Sequence, residues 1–266
     1  SSPYPSVGVD ENGVPYASWA QSRVPTTDPY CDENTPCPDD YECVLDWNVC
    51  KPYVYEQHFS RRLGGVWETP TAIHGGDDGL CHHGALHVES SSEVHAVYHY
   101  RNGGWGIYHA RFDGSGWADH TYTGLSAHVA DVTVDAQNVH VFSNTAGYAH
   151  SPLAGGAWGS EDVAGDTDIS FVGLDRGPHD DLHAVWVGGA GGHRLYYASR
   201  DAADDWRDPV RIGDDVPRYI EPDVEVDPTG YAHVVWAYCS ADGCDWDAEH
   251  GAIGYVRTTY DDLTGG

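Results

Sequence analysis

Methionine is absent from this 266-residue chain, phenylalanine occurs four times, and Lys51 is the single lysine among 13 basic residues. Against 42 acidic residues this leaves a formal charge of -29. A surface so short of cations repels nucleic acid and anionic membranes, so neither is expected as a partner. No apolar run is long enough to span a bilayer, and membrane insertion is not expected. Nor does a signal peptide open the sequence, which is read as beginning after its removal. Several chemistries lack their motifs. There is no Gly-x-Ser-x-Gly elbow, no His-Glu-x-x-His, no phosphate-binding glycine loop and no dinucleotide fingerprint.

What is abundant is glycine (32 residues), tryptophan (10), histidine (17) and, for this length, cysteine (7). Many glycines and few long apolar runs suit short strands joined by tight turns. Cys31, Cys37, Cys43 and Cys50 fall within twenty residues, and Cys239 and Cys244 flank one loop. Such density predicts disulfides and an oxidising compartment, so the protein is expected to be secreted or periplasmic. Cys239 is expected to pair with Cys244. Pairing among the first four has three possibilities, and Cys81 is left over beside His82 and His83.

One phrase returns five times. Its last copy reads Pro222-Asp-Val-Glu-Val-Asp227, a Pro-Thr-Gly turn, then His233-Val-Val-Trp236. Two alternating strands around a glycine turn are a β-hairpin signature. The others begin at Val7, Leu86, Val132 and Val172 and lead to Tyr16, His95, His140 and His183. A third strand follows each, as at Tyr108-His-Ala110 and Tyr196-Tyr-Ala198. A turn and a tryptophan (Trp67, Trp117, Trp158, Trp206) then open a fourth. Repeats built only of strands predict a propeller. The expected fold is all-β: one five-bladed β-propeller domain over 1–266, with blades at about 5–73, 84–124, 129–164, 169–213 and 221–266. A Cys-rich insertion, 21–52, interrupts blade one. For the last blade, Tyr260 to Thr264 supplies a degenerate fourth strand, or the blade has three strands, or the ring is larger than this chain. His95, His140, His183 and His233 recur with the blade and read as packing.

The phrases Asp-x-x-Gly-x-x-His-Val-x-Trp, at 227–236, and Tyr-x-Ala-x-Arg-Asp, at 196–201, followed by Trp206, resemble the sialidase-like (BNR-type) propeller repeats of secreted bacterial proteins. The resemblance covers nearly all of the chain outside 21–52 and implies a propeller. It implies little about activity, since such repeats occur in hydrolases, lyases and lectins. The arginine triad and nucleophilic Tyr/Glu pair of true sialidases are not matched here, and no sialidase is predicted.

Departures from the repeat concentrate in loops that a propeller places on one face: 21–52, the segment Tyr238 to Gly251, and Ile73 to Gly84. That face is the expected binding face. Its histidines suggest a copper or zinc site at the mouth of the central channel, with Cys81, His82, His83, His87, His128 and Glu221 as candidate ligands. By the strand period of two, His83 and His87 are expected on one side. The other reading leaves these histidines dispersed over the surface. Asp242, Asp245, Asp247 and Glu249 offer oxygen ligands for calcium, or simply a solvated acidic loop. The ingredients resemble two propeller enzyme groups, copper oxidases and polysaccharide lyases. The latter imply a His or Tyr base acting next to a uronate carboxylate, roles open to His83, His128 and Tyr219, with Arg101 neutralising the acid. Tyr100, Arg101, Trp246 and His250 are candidates for binding a glycan. Any two of the 42 acids could also form a glycosidase pair.

The leading expectation is a monomeric, secreted metal-binding enzyme acting on an extracellular small molecule or glycan. It would be a copper- or zinc-dependent oxidoreductase, or a polysaccharide lyase or hydrolase. A non-catalytic glycan-binding lectin is the alternative. A lectin would repeat its binding residues in each blade, whereas the Cys81-His82-His83 cluster occurs once.

Overall fold

The structure is a computed structural model that describes residues 5–22, 41–44, 49–52, 55–74, 81–101, 105–145, 147–163, 169–189, 194–201, 205–213, 218–239 and 251–265. The chain divides into two compact units, Ser1–Thr121 and Tyr122–Gly266. The first carries two blades and the second three.

Blade one pairs β1 (Ser6–Val9), β2 (Pro15–Ser22) and β5 (Tyr55–Leu63), with two short pieces, β6 (Val66–Trp67) and β7 (Thr71–Ala72), both on β5. The fourth strand expected to open at Trp67 is therefore broken in two. Opposite Ser60 the chain spends two residues, Thr69 and Pro70, because Pro70 has no N–H for the ladder. Within 21–52, β3 (Tyr41–Val44) and β4 (Val49–Pro52) form a hairpin that sets Cys43 opposite Cys50. Cys31, Cys37 and Cys244 lie outside the described residues, as do the side chains of the other cysteines. Blade two is β8 (Cys81–Ser90), β9 (Glu93–Arg101), β10 (Trp105–Phe112) and β11 (Trp117–Tyr122) in antiparallel order.

In the second unit, blade three is β12 (Ala130–Val134), β13 (Asn138–Ser143), β14 (Gly147–Pro152) and β15 (Gly159–Asp162). Blade four is β16 (Val172–Arg176), β17 (Leu182–Gly188), β18 (Arg194–Arg200) and β19 (Val210–Ile212). Blade five has three strands, β20 (Arg218–Val226), β21 (Ala232–Cys239) and β22 (Gly251–Thr258). Tyr260–Thr264, one option for a fourth strand, forms the helix α1 instead. Thr259 and Asp262 make a reciprocal capping box, and Gly265 closes the helix at φ 81°.

The repeated histidine is anchored at both ring nitrogens. Nδ1 of His140, His183 and His233 lies 2.6, 2.6 and 2.8 Å from the hydroxyls of Tyr148, Tyr197 and Tyr255. Nε2 of each faces an aspartate of its own hairpin, Asp135, Asp181 or Asp227, at 2.8, 2.6 and 3.0 Å. An ionised carboxylate only accepts, so Nε2 carries the proton and the tyrosine O–H donates to Nδ1. The second oxygen of Asp135 and Asp227 accepts backbone N–H groups of the turn. One residue type thus ties turn, second strand and third strand together. Blade two varies the theme with His95 and His109 stacked, Nδ1 to Nε2 at 3.0 Å, and Glu93 at 3.5 Å. In blade one the Tyr16 hydroxyl reaches Asp10 directly at 3.2 Å.

Candidate functional site

The first strand of every blade must find partners for its outward N–H groups, because an unpaired buried donor costs free energy. In the first unit Ser6 Oγ accepts the N–H of Leu86 at 3.0 Å. The same register position, two residues after the tyrosine or histidine on the facing strand, is held by Ser6, Ala85, Asp131, Gly173 and Asp223 in turn. A hydroxyl suffices for the stitch, yet blades three and five carry carboxyls there. An acid holds this position in two of the five blades, where Ser6, Ala85 and Gly173 hold it in the others.

Asp131 accepts the N–H of Leu174 at 2.9 Å from the neighbouring β16, and that of Val132 at 2.8 Å. Asp175 repeats the stitch one blade on, accepting from Val226 at 2.6 Å. Desolvation pushes the Asp131 carboxyl up to about 7, and the negative charge of Asp223 adds to the shift. The two backbone donors oppose it, and Asp175 reinforces it. Asp223 keeps more than a third of its surface in water, and partial desolvation still moves it upward against the N–H of Val224. The intervening strand contributes Gly173, so no side chain enters at that register. A Cβ there would stand 3.2 Å from Asp223 Cα and 3.3 Å from Pro222 O.

Blade five reaches this arrangement through a backbone irregularity. The β20–β21 register slips between Ile220 and Asp223, and Glu221 sits at φ 46°. A non-glycine residue in the left-handed region costs about 1–3 kcal/mol, and such strain gathers at functional sites. The extra residue falls between Ile220 and Asp223, and both Glu221 and Asp223 are exposed. A carboxyl that holds its proton near neutrality, with a second carboxyl coupled to it, is equipped for general acid–base work.

The residues expected from sequence fall elsewhere. Cys81, His82 and His83 start β8, where a bulge between His82 and Gly84 breaks the alternation. By register it is His82, opposite His99, that shares the parity of His87, opposite His95, so the period-of-two pairing of His83 with His87 does not hold. His87 Nε2 lies 3.3 Å from Glu89. His128 is exposed at the approach to β12 in the second unit, where Glu221 also lies. Tyr100 is buried, edge-on to Tyr108 at 5.2 Å and to His74 at 4.4 Å, in the core of the first unit. Trp246 and His250 lie outside the described residues, as do Asp242, Asp245, Asp247 and Glu249 and the side chains of Arg101 and Tyr219. Among the described residues no group of three or more His, Cys, Asp or Glu side chains is placed to hold a metal ion. No described helix is long and apolar enough to cross a membrane.

No protein-family model matches the chain, and no curated protein matches it in sequence. Solved structures do match. A protein of unknown function from Dyadobacter fermentans aligns at 14% identity and a TM-score of 0.57, over 89% of this chain and 75% of that one. The family-43 β-xylosidase/α-arabinofuranosidase CoXyl43, from a compost metagenome, aligns at 10% identity and 0.50, over 96% and 90%. The intramolecular trans-sialidase of Ruminococcus gnavus aligns at 9% and 0.52, over 96% and 84%. Identities this low establish the fold alone. The chain is an all-β, five-bladed β-propeller, and its resemblance to sialidase-like propellers holds at the level of fold.

Sequence reasoning missed Asp131, Asp175 and Asp223. Laying the five hairpins over one another residue by residue, with the His or Tyr of the second strand as anchor, would have exposed an acid that appears in only some copies.

Proposed function

We propose that this propeller cleaves glycans outside the cytosol, with Asp131 as proton donor to the departing sugar oxygen and Asp223 as the companion carboxylate. The observation that carries the reading is the pair of acids at one register position of β12 and β20, with the charge of Asp223 adding to the rise of the Asp131 carboxyl. Two carboxyls, one kept protonated by its surroundings, are what glycosidic cleavage requires. The fold agrees, since two of the similar structures are a xylosidase/arabinofuranosidase and a trans-sialidase. The test is release of sugar from a panel of xylan, arabinan and sialyllactose. Asp131→Asn and Asp223→Asn are each expected to abolish the release that the parent chain gives. Full activity in both variants, or none on the whole panel in the parent, overturns the proposal, and binding without turnover would favour the lectin. The copper- or zinc-binding role of Cys81, His82 and His83 remains a separate proposal. Metal content unchanged in His82→Ala/His83→Ala would overturn it.

A further inference from the structure

The bulge in the broken fourth strand of blade one has a counterpart in blade four. Trp67-Glu-Thr-Pro-Thr-Ala-Ile73 matches Trp206-Arg-Asp-Pro-Val-Arg-Ile212 position by position. The backbones agree: Glu68 N donates to Arg61 O and Arg207 N to Ser199 O, both at 2.9 Å, and Thr71 pairs with Phe59 as Val210 does with Tyr197. In blade four this bulge is occupied by the chain itself. The ring of Tyr260, from α1, lies 4.9 Å from the Arg207 guanidinium, and its hydroxyl donates to the carbonyl of Asp208 at 2.8 Å. A six-membered ring bearing a hydroxyl is what the bulge holds there.

In blade one the same place is a cleft of about 370 Å³. Its floor is aromatic, with Trp117 edge-on to Phe59 at 5.0 Å and tilted against Phe112 at 5.5 Å. Thr69, Thr71 and Ser115 give it hydroxyls. Arg61 closes one end, 5.4 Å from the Phe112 ring and 2.7 Å from Glu68. That partner is particular to this blade. At the same register Arg111 and Arg257 pair with the acids of their own hairpins, Glu93 and Asp227, at 2.8 and 3.2 Å. Arg61 turns to the bulge instead, so the cleft is charge-neutral in a chain that is strongly acidic.

We infer that this cleft is a glycan-binding site, apart from the acid pair of the second unit, that takes one or two residues of a neutral sugar chain. The aromatic floor packs against the C–H face of a pyranose ring. The Arg61–Glu68 pair sets N–H donors and carboxylate lone pairs side by side, the complement of vicinal hydroxyls. The cancelled charge selects against carboxylated sugars.

The test is titration of the full chain with xylohexaose and with 3'-sialyllactose, following the Trp117 indole N–H by NMR. Xylohexaose is expected to shift that signal saturably, sialyllactose is not, and Asp131→Asn should bind as the parent does. Glu68→Ala removes the carboxylate from Arg61, and Thr71→Trp fills the cleft. Each is expected to weaken xylohexaose at least tenfold while the remaining spectrum reports an intact fold. No shift at millimolar xylohexaose, an unchanged affinity in both variants, or a preference for sialyllactose overturns the inference. Because Asp131→Asn leaves the cleft intact, failure of the catalytic proposal and failure of this one give different results.

Discussion

His183 Nδ1 and the Tyr197 hydroxyl lie 2.6 Å apart, with both residues almost wholly buried, while Asp181 holds the other ring nitrogen at the same distance. The arrangement has the ingredients of a proton relay, yet blades three and five repeat it, and what recurs in three blades is scaffold. Tyr197→Phe leaves an unsatisfied imidazole nitrogen and is expected to cost about 1–3 kcal/mol. His183→Ala removes both bonds and opens a void, so it should cost more. Urea midpoints at constant m-value measure both.

The blades were legible in the sequence because each hairpin is local: Asp227, Gly230 and His233 write the turn, and the alternation of Val224 and Val226 writes the strand. The departures were not. At His83 a bulge overrides the period of two, and at Pro70 the ladder skips, neither of which alternation encodes. Thr259 and Asp262 carry a helix-start signal that strand alternation does not register, so of the options for the last blade the three-stranded one holds among the described residues. The acid pair was hidden for another reason. Asp131 and Asp223 are 92 positions apart, and only the register of each hairpin shows that they occupy the same place.

Blade two should be the acid-sensitive part of the first unit. Burial holds His95 and His109 down to about 3, with the positive charges of His87 and Arg111 adding to the shift at His95 and those of His95 and Arg111 at His109. Unfolding restores both toward 6.5, so between these values the unfolded chain binds more protons and stability rises with pH. The contribution is complete above about 6.5 and is lost as pH falls toward 3. His109→Tyr would install the pattern of blades three to five. It is expected to shift the acid limb of thermal stability to lower pH, whereas an unmoved limb would show that other groups set it.

Gly173 is predicted to control the acid pair without touching a substrate. A Cβ at this position meets both Asp223 Cα and Val185 Cγ2 at 3.2 Å, so the backbone of β20 must yield. Gly173→Ala should be mildly destabilising and should lower turnover more than ligand affinity, because it displaces one carboxyl from the other. Gly173→Val should lose about 1–3 kcal/mol by overpacking. Equal kcat in Gly173→Ala and the parent would mean that the separation of Asp131 and Asp223 is not critical.

The protonation of Asp131 has opposite consequences from that of the histidines. Its folded value near 7 lies above the 3.8 of a free aspartate. The folded chain therefore binds the extra proton between those values, and the stability this gives is full below 3.8 and lost as pH rises through 7. Proton donation follows the same titration, so kcat should fall on the alkaline side of neutrality. Asp131→Asn keeps one acceptor for the two N–H groups of Leu174 and Val132 and has no acidic proton to give. It is expected to lower kcat by about 10²–10⁴-fold, the usual worth of a general acid. The same substitution should flatten the loss of stability between pH 4 and 7. A variant that loses activity but keeps the parent's stability profile would place the titrating proton elsewhere, with Asp223 the first residue to examine.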